Sequence, residues 1–177
     1  DYRKIMTEFG TMEDFDELLE KVHARGMRLI MDLVVNHTSD EHEWFQKALA
    51  DPESKYRDYY FFRKDDGSKT APNNWGSFFA GSAWNYYEAN DEWALHLFSK
   101  KQMDLNWDNE ELRSDVIDMI NWWLDKGVDG FRMDVINYIS KEAGLPQGNE
   151  TIGSMMGYPG IENYVYGPHL HDYLHEI

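Results

Sequence analysis

Apolar positions in the first part of the chain change period. Phe15, Leu18, Leu19 and Val22 recur every three or four residues, the spacing of one helix face. Thr11-Met-Glu-Asp14 ahead of them carries the Ser/Thr-x-x-acid pattern of a helix start. Gly26 suits the residue just past a helix end. The pattern predicts a helix over 11–25. In Arg28-Leu-Ile-Met-Asp32-Leu-Val-Val the polar side almost disappears, which predicts a strand over 28–35 covered on both faces. The same sequence of signals returns later. Asn109 caps a predicted helix over 110–126, with an apolar stripe of Leu112, Val116, Met119, Ile120 and Trp123. Gly127 ends it, and a buried strand is predicted over 128–133. Repeated helix–strand pairs mark an α/β fold with parallel strands.

Residues 38–100 break that alternation. A short helix is predicted from His42 to Leu49, ended by Asp51-Pro52. Tyr59-Tyr-Phe-Phe62 reads as a strand, Asp66-Gly67 as a tight turn, and Trp93 to Phe98 as another strand. The stretch is too long for a plain connection and predicts a small inserted unit. Residues 140–160, glycine-rich with Pro146 and Pro159, read as loop. A last helix is predicted from near Gly167 to Ile177.

Composition narrows the partners. A net charge of −16 over 177 residues argues against nucleic acid, whose phosphates require basic patches. It suits a protein that handles neutral small molecules. No apolar stretch of membrane length and no secretory signal stand in the sequence, so no membrane partner and a cytoplasmic location are expected. Zero cysteines exclude a disulfide framework and a thiolate metal site.

Candidate chemistry gathers at the ends of the two apolar strands. In Gly127-Val-Asp-Gly-Phe-Arg-Met-Asp134, Arg132 and Asp134 are two apart and share a strand face. A carboxylate beside a fixed cation stays ionised, as a carboxylate nucleophile must. A structural ion pair explains the same pattern equally well. The strand through Asp32 ends in Asn36 and His37, so it too puts polar groups at its exit.

Three blocks together resemble the α-amylase superfamily of glycoside hydrolases, in its oligo-1,6-glucosidase and α-glucosidase branch. They are Asp32-Leu-Val-Val-Asn36-His37, Gln102-Met-Asp104-Leu-Asn-Trp107-Asp-Asn109 and Gly130-Phe-Arg132-Met-Asp134-Val-Ile-Asn137. Met103 departs from the proline usual in this branch, a change expected to alter loop stiffness. The resemblance implies a partial (β/α)8 TIM barrel with a small subdomain inserted after the third barrel strand. Residues 1–37 and 104–177 are then barrel, and 38–103 the insert. A complete barrel needs about 250 residues, so the sequence is expected to be a fragment that is inactive alone.

The resemblance also implies roles. Asp134 is expected as nucleophile of a retaining reaction, with Arg132 holding it ionised. His37, Phe79, Gln102 and Val135 are expected to meet substrate; Asp32 and Asn36 are expected to organise the site. Valine after the nucleophile accompanies α-1,6 cleavage in this family. The general acid, a glutamate, is expected beyond Ile177, because Glu142, Glu150, Glu162 and Glu176 end no apolar strand. No cofactor or metal is expected. Asp104-Leu-Asn106-Trp-Asp108 mimics the start of a calcium loop, but its sixth position is Asn109 and its twelfth Asp115. His169, His171 and His175 lack a further ligand for zinc. The Asn-x-Thr patterns at Asn36 and Asn149 read as accidental. The partner expected is a short oligosaccharide. Alternative activities are α-1,4-glucosidase, trehalose-6-phosphate hydrolase or sucrose isomerase; a non-enzymic barrel used for partner binding is the rival class.

Overall fold

The computed structural model describes residues 1–177. Thr11 caps α1 (Met12–Ala24) with a reciprocal capping box: its hydroxyl receives the Asp14 N–H, and the Asp14 carboxylate receives the Thr11 N–H. The strand that follows, β1, is shorter than predicted at Ile30–Leu33. Then come β2 (His37–Ser39), α2 (Glu43–Ala50), β3 (Phe62–Lys64), β4 (Trp84–Tyr87), β5 (Glu92–Leu95) and β6 (Gln102–Asp104). The chain continues through α3 (Glu110–Asp125), β7 (Gly130–Met133), α4 (Glu150–Met156) and α5 (Leu170–Glu176).

The architecture mixes one parallel pair with antiparallel strands. β1 and β7 run parallel, with Ile30 opposite Gly130 and Asp32 opposite Arg132. Backbone bonds from Asp129 to Leu29 and from Asp134 to Leu33, both 3.0 Å, extend the ladder at each end. β2 and β6 pair antiparallel and close the two ends of the intervening chain on each other. β3, β5 and β4 form a second antiparallel sheet, in that order.

Two cores result. The larger joins Leu33 and Val35 to the full predicted stripe of α3 and, from the intervening chain, to Phe45, Ala48, Tyr59 and Tyr60. The smaller gathers Phe61, Trp75, Trp84, Leu95, Leu97, Leu145, Ile161 and Tyr164. The intervening chain feeds both cores: Phe45, Ala48, Tyr59, Tyr60 and Ala94 belong to the larger, and Phe61, Trp75, Ala83, Trp84, Leu95 and Leu97 to the smaller.

Several expectations are corrected. The β1–β7 pair is covered on one face only: Leu33 is buried and Met31 and Phe131 pack on the larger core, whereas Ile30, Asp32 and Arg132 are exposed. Tyr59-Tyr-Phe-Phe62 is not a strand. Ser54 caps a 3-10 turn over Lys55–Tyr59, whose Arg57 binds the buried Glu92 with both terminal guanidinium nitrogens. Only Tyr60 bridges, to Leu105, before β3 begins. Residues 140–160 are not all loop, since Asn149 caps α4 by accepting from the N–H groups of Thr151 and Ile152.

Candidate active site

The chain leaves β1 through a turn fixed from three directions. The Trp107 indole donates to Val35 O at 2.8 Å, Leu105 N–H to Asn36 O at 2.9 Å, and the Tyr2 hydroxyl to His37 O at 2.6 Å. Asn36 and His37 are thereby held beside the C-terminal end of the strand pair.

At that end the parallel register sets Asp32 across from Arg132. Arg132 Nη1 donates to Asp32 Oδ1 at 3.0 Å, and Nη2 lies 3.1 Å from Asp134 Oδ1. The bond to Asp32, then the charges of Asp32 and Asp134, push the guanidinium pKa further up. One cation thus bridges two carboxylates, with Arg132 about two-thirds exposed. An exposed ion pair of this kind contributes little to stability, because solvent screens it. Stability alone therefore gives little reason for the cluster. The next residue, Val135, has φ 42°. A β-branched side chain is disfavoured there, and such strain collects at functional sites.

His37 is 6% exposed. Its Nε2 stands 3.0 Å from Gln102 Nε2, and its Nδ1 stands 3.3 Å from Asn36 Nδ2. Burial, first of all, lowers its pKa; Asp104 and Asp134 oppose this, and Lys141 reinforces it. His37 was expected to reach sugar hydroxyls. Both its nitrogens here meet side-chain amides, so a ligand reaches Nε2 only if Gln102 turns away. Gln102 itself contacts His37 and Ser99 rather than standing free on a cleft wall.

An aromatic wall runs outward from His37. The Phe98 ring lies 5.2 Å from the imidazole and 6.0 Å from Phe79. Phe79 is 66% exposed, whereas Phe78 turns inward onto Phe98, Tyr138 and Tyr158. Below the wall lies a buried polar group. Lys141 Nζ approaches Asp104 Oδ2 to 3.0 Å and donates to Tyr138 O at the same distance. Asp104 also accepts from Asn36 Nδ2 at 3.1 Å and from Leu97 N–H at 2.8 Å. Sequence reasoning missed Phe98 and Lys141. The stretch Tyr138-Ile-Ser-Lys141-Glu142 carries no pattern that would mark the second.

The residues of the calcium-like segment are engaged elsewhere. Asp104 faces an ammonium, Asp108 accepts from the Tyr173 hydroxyl, and Asn109 caps α3. No cluster of three or more His, Cys, Asp or Glu side chains suits a metal ion. A cavity of about 420 Å³ bounded by Tyr2, His42, Trp44 and Tyr56 shares no residue with the Asp134 cluster. No helix is long and apolar enough to cross a membrane.

Residues 1–177 match the family described as alpha amylase, catalytic domain. An oligo-1,6-glucosidase of Bacillus cereus is 59% identical over the whole chain, which spans 31% of that relative's length. A trehalose-6-phosphate hydrolase of Bacillus subtilis is 48% identical, again over the whole chain and 30% of the relative. Among solved structures, the trehalose-6-phosphate hydrolase of Bacillus licheniformis superposes with a TM-score of 0.92 at 46% identity, over 99% of this chain and 30% of that one. The isomaltulose synthase of Klebsiella sp. LX3 does so with a TM-score of 0.92 at 44% identity, over 99% and 31%.

Proposed function

The chain belongs to the α-amylase catalytic-domain family, and from that premise we propose that it carries the nucleophile side of a retaining glycoside hydrolase acting on α-glucosidic bonds of short oligosaccharides, α-1,6 bonds above all. The observation that carries this reading is the cluster at the strand ends, where Arg132 holds Asp134 against Asp32.

In this reading Asp134 attacks the anomeric carbon as the glycosidic C–O bond breaks, giving a covalent glucosyl-enzyme that water then opens. Arg132, 3.1 Å from Asp134 Oδ1, holds the attacking carboxylate in place. A carboxylic acid about 5–5.5 Å away protonates the leaving oxygen. Glu162 accepts from Asn149 N–H and Glu176 pairs with Arg113, so both are occupied locally. The proposed acid is a glutamate outside residues 1–177. Phe79, with Phe98 behind it, offers a ring face to the sugar, and Val135 narrows the leaving-group side. β1 and β7 are proposed as neighbouring strands of a (β/α)8 barrel, with the antiparallel sheet of β3, β5 and β4 in a subdomain walling the cleft. That placement puts the cluster at the C-terminal strand ends, where barrels carry their chemistry.

The full-length protein should release glucose from isomaltose faster than from maltose. A preference for maltose would remove the role given to Val135. Turnover of trehalose 6-phosphate alone, or isomerisation of sucrose, would assign the site to those branches; a trehalose-6-phosphate hydrolase and an isomaltulose synthase are among the similar proteins. No turnover of any of these sugars would favour a non-enzymic barrel.

A further inference from the structure

Gln102 stands on β6, and its carboxamide is oriented by one backbone bond. Ser99 N–H donates to Gln102 Oε1 at 3.0 Å. A backbone N–H can only donate, so the oxygen end is fixed and the nitrogen end is the one facing His37. Gln102 Nε2 lies 3.0 Å from His37 Nε2. An amide nitrogen does not accept, so the imidazole must. On the other side, Asn36 Nδ2 is fixed by donating to the Asp104 carboxylate at 3.1 Å, and stands 3.3 Å from His37 Nδ1. Two donors thus flank a ring that, when neutral, has one lone pair to offer. The shorter contact takes it. We infer that Gln102 is a positioning residue that holds His37 as the neutral tautomer, with the proton on Nδ1 and the Nε2 lone pair accepting from the Gln102 carboxamide.

The arrangement also resists charging the ring. An imidazolium would aim N–H groups at both carboxamide nitrogens. The charged groups that face His37 are Asp104 and Asp134, which favour the cation, and Lys141, which disfavours it; burial outweighs the two carboxylates. A neutral His37 leaves Arg132 as the cation bonded to Asp134. A group that displaces Gln102 then meets an acceptor and must donate a proton to it. A sugar hydroxyl can do so, and an ether oxygen cannot. This last consequence rests on the glycosidase reading; the tautomer does not.

The test is nitrogen NMR on full-length protein labelled at histidine, with the His37 resonances identified by their loss in His37→Asn. The wild type should show a protonated Nδ1 and an unprotonated Nε2 at neutral pH. Gln102→Glu places a carboxylate acceptor at Nε2. It should move the proton to Nε2 and raise the His37 titration midpoint by about 1–3 pH units. Gln102→Met keeps the length without the donor and should give mixed tautomers, which preserves the test if the Glu variant folds poorly. An Nε2–H tautomer in the wild type, or the same tautomer and midpoint in both variants, would overturn the inference. Neither readout needs turnover, so an inactive protein with the expected tautomer would sink the glycosidase reading and leave this one standing.

Discussion

At the residue scale, Asp134 and Arg132 were legible because strand periodicity puts them on one face whatever surrounds them. Their link to Asp32 was not, because the parallel register between β1 and β7 decides it. In the full-length protein, Asp134→Asn should lower kcat by roughly four to six orders of magnitude, the scale of losing a nucleophile. Glucose release from isomaltose measures it, and activity within tenfold of wild type would remove Asp134 from that role. The Lys141–Asp104 pair was invisible to pattern, since tertiary closure alone brings the lysine to the aspartate. Both side chains are almost wholly buried. Lys141→Met should therefore destabilise by about 3–5 kcal/mol, because it strands a buried charge. Urea unfolding reads this out, and adding Asp104→Asn should restore part of the loss.

At the scale of elements, the long helices were readable and the short ones less so. Every residue of the predicted α3 stripe is buried. Leu112 is fully enclosed, so Leu112→Ala should cost about 2–5 kcal/mol in denaturant unfolding. α4 escaped because its periodicity is inverted. Ile152, Met155 and Met156 face outward, and the buried position is Gly153, pressed on Pro159. Its cap, Asn149, had been read only as an accidental glycosylation pattern. The same segment brings Gly160, at φ +87°, so close to the Trp75 ring that an added Cβ would lie 2.3 Å from its nearest atom. Gly160→Ala should cost about 2 kcal/mol or more, from the left-handed backbone and overpacking together.

At the scale of the whole molecule, the alternating α/β class was legible, but the division into two cores was not, since tertiary contacts alone decide which side chains of the intervening chain join each. Stability should also depend on pH through buried histidines. Burial lowers the pKa of His37 and His96. Unfolded histidines bind protons near about 6.5. The unfolded state therefore takes up protons first as pH falls, so the stabilisation is complete above that value and is lost on the way down to each folded value. The Tm of the full-length protein should therefore fall as pH drops below about 6.5; a flat profile would contradict the burial of these rings. One last consequence follows from the parallel pair. Ile30 must find Gly130 across the whole intervening chain. At a synthesis rate of about 5–20 residues per second, β1 waits on the order of 5–20 s before β7 has even left the ribosome. Meanwhile β2 to β6 are already made and can close on local contacts. The antiparallel sheet is thus expected to act as a nascent folding nucleus, shortening the effective loop before the two strands that carry the carboxylates meet.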